Sequence, residues 1–145
     1  MKVFDRKTPG WIWPFSPLFN TTSAGFRRIS LQQVSHHLSW RTLADNPTAR
    51  DFVSLLPLKI SMNDLFGREK YGDLPRAISE TGPRTHSYHV GDIAYWSPDH
   101  QLAVYYRQDN QTPPSPGVIP IAKMDAGMEA FQVSGSVKVT IERAQ

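Results

Sequence analysis

The sequence predicts an all-β protein, a barrel or sandwich of short strands, and three observations carry that prediction. The chain of 145 residues holds 12 prolines and 9 glycines, punctuation too dense for long helices. Several segments alternate apolar and polar residues with period two, most clearly "LKISMNDL" and "SVKVTIE". The length suffices for one real core and falls short of two ordinary domains. Hydrophobic content of 39% and charged content of 20% fit a folded chain better than a disordered one.

The elements follow in chain order. "MKVFDRKTPGWIWPFSPLFNTTSAG" has no defensible period, and residues 1–28 read as an N-terminal extension or arm. Its apolar stretch, Trp11 to Phe19, is short, is broken by Pro14 and Pro17, and lacks a convincing small-residue cleavage site. It therefore reads as an ordered or sticky arm rather than a signal peptide, and a cytoplasmic location is expected. Residues 29–145 form the domain. "RISLQQV" and "HLSWRTL" read as two strands, the first only weakly patterned. "ADNPTARDFVSLLP" reads as a short helix. Asn46 serves as N-cap, and Pro47 fits the first helical position, where its missing N–H costs nothing. Phe52, Leu55 and Leu56 fall on one face, and Pro57 ends it.

In "LKISMNDL", Leu58, Ile60 and Met62 point one way and Lys59, Ser61 and Asn63 the other, as in a half-buried strand. Gly67 marks a turn, with a return strand through Glu69 and Tyr71. Residues 79–90 are a loop by composition. "DIAYWSPDHQLAVYYR" then reads as a hairpin. A two-residue loop at Asp99 and His100 pairs Ile93 with Tyr106, Tyr95 with Val104, Ala94 with Tyr105 and Trp96 with Ala103. The core face carries Ile93, Tyr95, Leu102, Val104 and Tyr106; the outer face keeps Trp96, Tyr105 and Arg107 together. "QDNQTPPSPG" is a long Pro-rich loop. Pro120 within "VIPIAKM" favours an edge strand or a bulge. "DAGMEAF" reads as about one helical turn capped by Asp125, and "SVKVTIE" turns Val137, Val139 and Ile141 inward.

The segments "LADNPTARDFVSLLPLKISMND", "GREKYGDLP", "GDIAYWSPDHQLAVYYR" and "IPIAKMDAGMEAF", in that order, resemble the bacterial cyclophilin-like family of small proteins over roughly residues 29–143. The resemblance implies an all-β fold, a closed cyclophilin-like β-barrel of about eight strands with one or two short helices. It does not imply an activity, because fold alone does not carry one. Prolyl isomerases of the cyclophilin type carry a Phe-His-Arg segment and a Phe-x-Met-x-Gly-type segment, and neither occurs here. No catalytic residue is assigned.

Composition narrows the chemistry. There is no cysteine, which excludes a disulfide scaffold, a thiolate metal site and a cysteine nucleophile. The net charge is +3, but residues 1–28 hold five cations against Asp5 alone, so the body is close to neutral. A nucleic-acid partner wants a basic face on the folded body, and none is expected. No run is long enough to span a bilayer as a helix, so no membrane partner is expected. His86 and His89 form an H-x-x-H spacing, but Gly and Pro flank it, and residues three apart on a strand point to opposite faces. No metal site and no cofactor are assigned. The candidate ligand-binding residues are Glu69, Trp96, Tyr105 and Arg107. Glu69 would accept hydrogen bonds in a pocket, or else be a salt-bridged strand end; Trp96, Tyr105 and Arg107 would form an aromatic and cationic groove, or else pack under a loop. The leading reading is a non-catalytic module that binds a small molecule or peptide. The alternatives are an interaction protein or homo-oligomeric subunit, and an enzyme such as a prolyl isomerase.

Overall fold

The computed structural model describes residues 27–31 and 37–143. The arm, apart from Arg27 and Arg28, lies outside the described residues. The described residues are mostly β, with one α-helix and antiparallel pairing throughout. Its elements are β1 (Arg27–Leu31), β2 (His37–Leu43), α1 (Pro47–Val53), β3 (Leu58–Leu65), β4 (Glu69–Asp73), β5 (Asp92–Trp96), β6 (Gln101–Tyr105), β7 (Ile119–Met124) and β8 (Val137–Arg143). One-turn 3₁₀ helices cover Ser97–Asp99 and Met128–Phe131. The hydrogen-bonded order is β1-β2-β7-β5-β6-β4-β3-β8, and β8 pairs in turn with β1, Ile29 opposite Ile141, so the pairing returns on itself.

The alternating strands form as their patterns dictate. Leu58, Ile60 and Met62 of β3 and Val137, Val139 and Ile141 of β8 are buried, and the two strands pair Ile60 with Val139. The main core joins them to Ile93, Tyr95, Leu102, Val104 and Tyr106. The helix starts as predicted. The Asn46 side chain accepts from the Ala49 N–H at 2.8 Å, and Pro47 occupies the first turn. The Asn46 amide also donates to the Pro120 carbonyl at 2.9 Å, tying the helix to β7. The helix ends at Val53, so Leu55 and Leu56 lie just beyond it, half-buried against the core. Gly72 sits where β4 meets β3, and a Cβ there would lie 2.5 Å from the Ser61 carbonyl oxygen.

Two local expectations are corrected, and one pair of alternatives is decided. The hairpin loop holds four residues rather than two, so Ile93 pairs with Val104, Ala94 with Ala103, Tyr95 with Leu102 and Trp96 with Gln101. Pro98 lies in the first turn of the 3₁₀ segment, and His100, with φ of 56°, closes it in the left-handed region. A shift of two residues preserves the faces, which is why the core side was still read correctly. Of the two readings of Pro120 the bulge holds: β7 pairs with both β2 and β5 and so is no edge, and a bulge separates Ile93 opposite Ala122 from Ala94 opposite Pro120. The cap of the Met128–Phe131 turn is Gly127, with φ of 90°, and not Asp125.

Candidate functional site

Strand alternation gives the barrel wall an outer face as well as a core face. On β4 the residues Glu69, Tyr71 and Asp73 face out, opposite Tyr105, Ala103 and Gln101 of β6. Ala94 and Trp96 of β5 continue the same face. Ala103 is small and has Tyr71, Tyr105 and Ala94 around it, so the face carries a notch walled by rings. The long loops cross this face. Thr85 and Val118 exchange backbone hydrogen bonds at 2.8 and 3.0 Å, and a second apolar cluster forms beneath them from Tyr88, Ala94, Ala103, Tyr105 and Val118, with Trp96 against it. The result is a cleft of about 380 Å3. Glu69, Tyr71, Ala103 and Tyr105 line its sheet side, Trp96 and Asp99 one end, and Pro113, Pro114 and Val118 the far wall.

Three of the four candidate residues therefore come together: Glu69, Trp96 and Tyr105 all line the cleft. Arg107 does not. The ladder ends at Tyr105, and the N–H groups of Tyr106 and Arg107 both donate to the Arg68 carbonyl, at 2.8 and 3.1 Å. Strand pairing stops there, and the Arg107 guanidinium lies over the Tyr106 ring at 5.7 Å, outside the cleft. The cation in the cleft is Arg68, which sequence reasoning missed. It is 7% exposed, and its Nε donates to Glu69 Oε2 at 2.9 Å. Its Nη1 reaches Asp109 Oδ2 at 3.3 Å, and Asp109 Oδ1 accepts from the Tyr88 hydroxyl at 2.9 Å. Tyr88 in turn stacks on Tyr105, with ring centroids 4.1 Å apart. The available signal was adjacency: Arg68 stands between the Gly67 turn and Glu69.

Burial sets the electrostatics. It pushes the Glu69 carboxyl above its ordinary value, with the Arg68 hydrogen bond and charge working the other way. It likewise raises the Tyr105 phenol, to which the Glu69 charge adds. Asp109 is held low, first by the Gln111 N–H and then by the Tyr88 hydroxyl and Arg68. Hydrogen-bonding capacity is left over. Among the described residues, Glu69 Oε1, Arg68 Nη2 and the Tyr105 hydroxyl have no partner, although all three side chains are buried. Buried polar groups of this kind are expected to find partners.

Lys70, next to Glu69, points the opposite way and does different work. It is fully buried, and its ammonium donates to the carbonyls of Val133 and Gly135, both at 2.6 Å, and to Asp64 Oδ1 at 3.0 Å. Asp64 also accepts from the Tyr106 hydroxyl and from the Gly67 N–H. All three ammonium protons are used, so Lys70 is a clamp on the strand that carries Glu69. His86 holds the far wall, its Nδ1–H donating to the Pro113 carbonyl at 3.0 Å. His89 is exposed beside Asp92 at 3.9 Å, and no cluster of three metal-ligating side chains occurs among the described residues.

Comparison with known proteins fits this architecture. The model of the cyclophilin-like family matches residues 33–142, most of the chain. The chain belongs to the cyclophilin-like family. The solution structure of a hypothetical protein from Archaeoglobus fulgidus is similar to this cyclophilin-like chain, with a TM-score of 0.62 and 22% identity. The match covers 86% of this chain and 99% of that one, and at this identity it shows the fold alone. No curated protein matches the chain. No helix among the described residues is long and apolar enough to cross a membrane.

Proposed function

We infer that this cyclophilin-like protein is a non-catalytic binding module whose cleft on the outer face of β4, β6 and β5 holds a small molecule or short peptide. One observation carries the reading: Glu69, Arg68 and Tyr105, all buried, meet in an apolar cleft with hydrogen-bonding capacity unspent among the described residues. An apolar concavity with a few convergent polar groups is the usual form of a ligand site. Trp96 supplies a broad face at one end, and the prolines at 113 and 114 supply the other wall.

The test is thermal unfolding of the wild type, Glu69→Gln, Trp96→Ala and Arg107→Ala against a panel of metabolites and short peptides. A ligand that binds only the folded state raises the melting temperature with its concentration. The reading predicts a hit that is lost in Glu69→Gln and Trp96→Ala and kept in Arg107→Ala. A hit unaffected by the first two variants, or lost only in the third, would place binding elsewhere. An isomerisation assay on proline peptides separates this reading from an enzymatic one.

A further inference from the structure

The geometry points to an organic cation, a substituted ammonium group, as the ligand chemistry this cleft selects; the inference rests on the cleft being a binding site. Among the described residues four aromatic side chains line it: Phe66, Tyr71, Trp96 and Tyr105. Their ring faces attract positive charge, Trp most strongly. Two carboxylates, Glu69 and Asp99, line it as well. Asp73 stands next to the cleft, holding the Gln101 amide at 2.9 Å. Among the described lining residues Arg68 is the only cation. Its charge is already engaged by Glu69 at 2.9 Å and Asp109 at 3.3 Å, and the described lining, two carboxylates against one guanidinium, is net negative, with Arg84 and Arg107 outside it. An anion would meet this surplus directly. A cation would meet rings on several sides and carboxylates within reach.

Two details fit that occupant. The Trp96 indole N–H donates to Asp99 Oδ2 at 3.2 Å, which orients the ring and sets a carboxylate at its edge. Phe66, at the tip of the β3–β4 hairpin, is 76% exposed and adopts φ of 57°. A bulky residue rarely adopts that backbone conformation, and an exposed phenyl ring is a further cost. Both costs make sense if the ring closes the open side of a cage. The Arg68 guanidinium lies 5.3 Å from that ring, showing that it already receives a cation.

The experiment compares choline with its neutral isostere, dimethylbutanol, by calorimetric titration of the full chain at low and moderate salt. Trp96→Ala and Asp99→Asn are measured alongside, and circular dichroism confirms that each is folded. The expected result is binding of choline at least about tenfold tighter than of the isostere. Trp96→Ala should abolish it, and Asp99→Asn should weaken it severalfold while reducing its salt dependence. Equal or tighter binding of the isostere, lost in Trp96→Ala, would overturn the charge preference and leave the binding cleft standing. Choline binding that survives Trp96→Ala, or no binding of either probe, would overturn the inference outright. The wider panel above judges the binding module separately.

Discussion

Replacing Lys70 by Met removes an ammonium from the barrel wall while keeping most of the side-chain volume. In the wild type that ammonium makes three hydrogen bonds, one to the Asp64 carboxylate and two to backbone carbonyls of the 132–136 loop. Hydrogen bonds to a charged group contribute about 1.5–3 kcal/mol each in favourable cases, and breaking a buried ion pair costs about 3–5 kcal/mol. Here the loss is tempered. Val133 and Gly135 are exposed, so their carbonyls regain water, and the Asp64 side chain is 28% exposed and keeps Tyr106 and Gly67. The variant also escapes the desolvation cost of the ammonium. The net destabilisation should be about 3 kcal/mol. For a domain of this size that lowers the melting temperature by about 10 °C. Urea unfolding followed by circular dichroism measures it, and the midpoint should fall with little change in slope. A double-mutant cycle with Asp64→Asn should show coupling of about 1 kcal/mol or more. A loss below about 1 kcal/mol, or additive behaviour, would refute the description of Lys70 as a clamp.

Acid should destabilise the fold through Asp51 and Asp64, both held below the ordinary value of 3.8. For Asp51 the main cause is the Arg76 hydrogen bond; for Asp64 burial pushes upward and is outweighed by the Tyr106 and Lys70 hydrogen bonds. The unfolded chain then binds more protons, so this stability is present above 3.8 and is lost as pH falls through the depressed values. Asp51→Asn and Asp64→Asn should each flatten the acid limb of a curve of melting temperature against pH, and an unchanged limb would contradict this. Glu69 runs the other way: its raised carboxyl contributes stability below 4.5 that is lost as pH rises through the folded value. The wild type should therefore lose ground to Glu69→Gln across that rise, as parallel melts would show. Asn46→Ala removes both a helix cap and the bond to Pro120, and should cost about 2 kcal/mol by urea unfolding. Gly72→Ala forces a Cβ to within 2.5 Å of a backbone oxygen and should cost about 2 kcal/mol or more by the same assay.

Strands with one face in the core were legible because alternation and burial coincide, as in Leu58–Met62 and Val137–Ile141. The outer-face grouping of Trp96 with Tyr105 was legible for the same reason. Register was not, because it depends on where the chain turns, and the 3₁₀ segment at Ser97–Asp99 adds two residues to the loop. Arg107 was misplaced because straight strand geometry was carried past the end of β6, where two N–H groups converge on one carbonyl. Glu69 and Lys70 are adjacent charges, yet alternation sends one side chain to the cleft and the other into the protein. Tyr88 and Asp109 could not be read at all, since loops bring them to Arg68 from distant positions.

The most direct test of the binding cleft is mapping by nitrogen-15 NMR with any compound that raises the melting temperature. The account predicts shifts at the Trp96 indole N–H and at the backbone amides of Glu69, Ala103 and Tyr105, with those of α1 unmoved. Shifts centred on any other surface, with these signals unchanged, would contradict it.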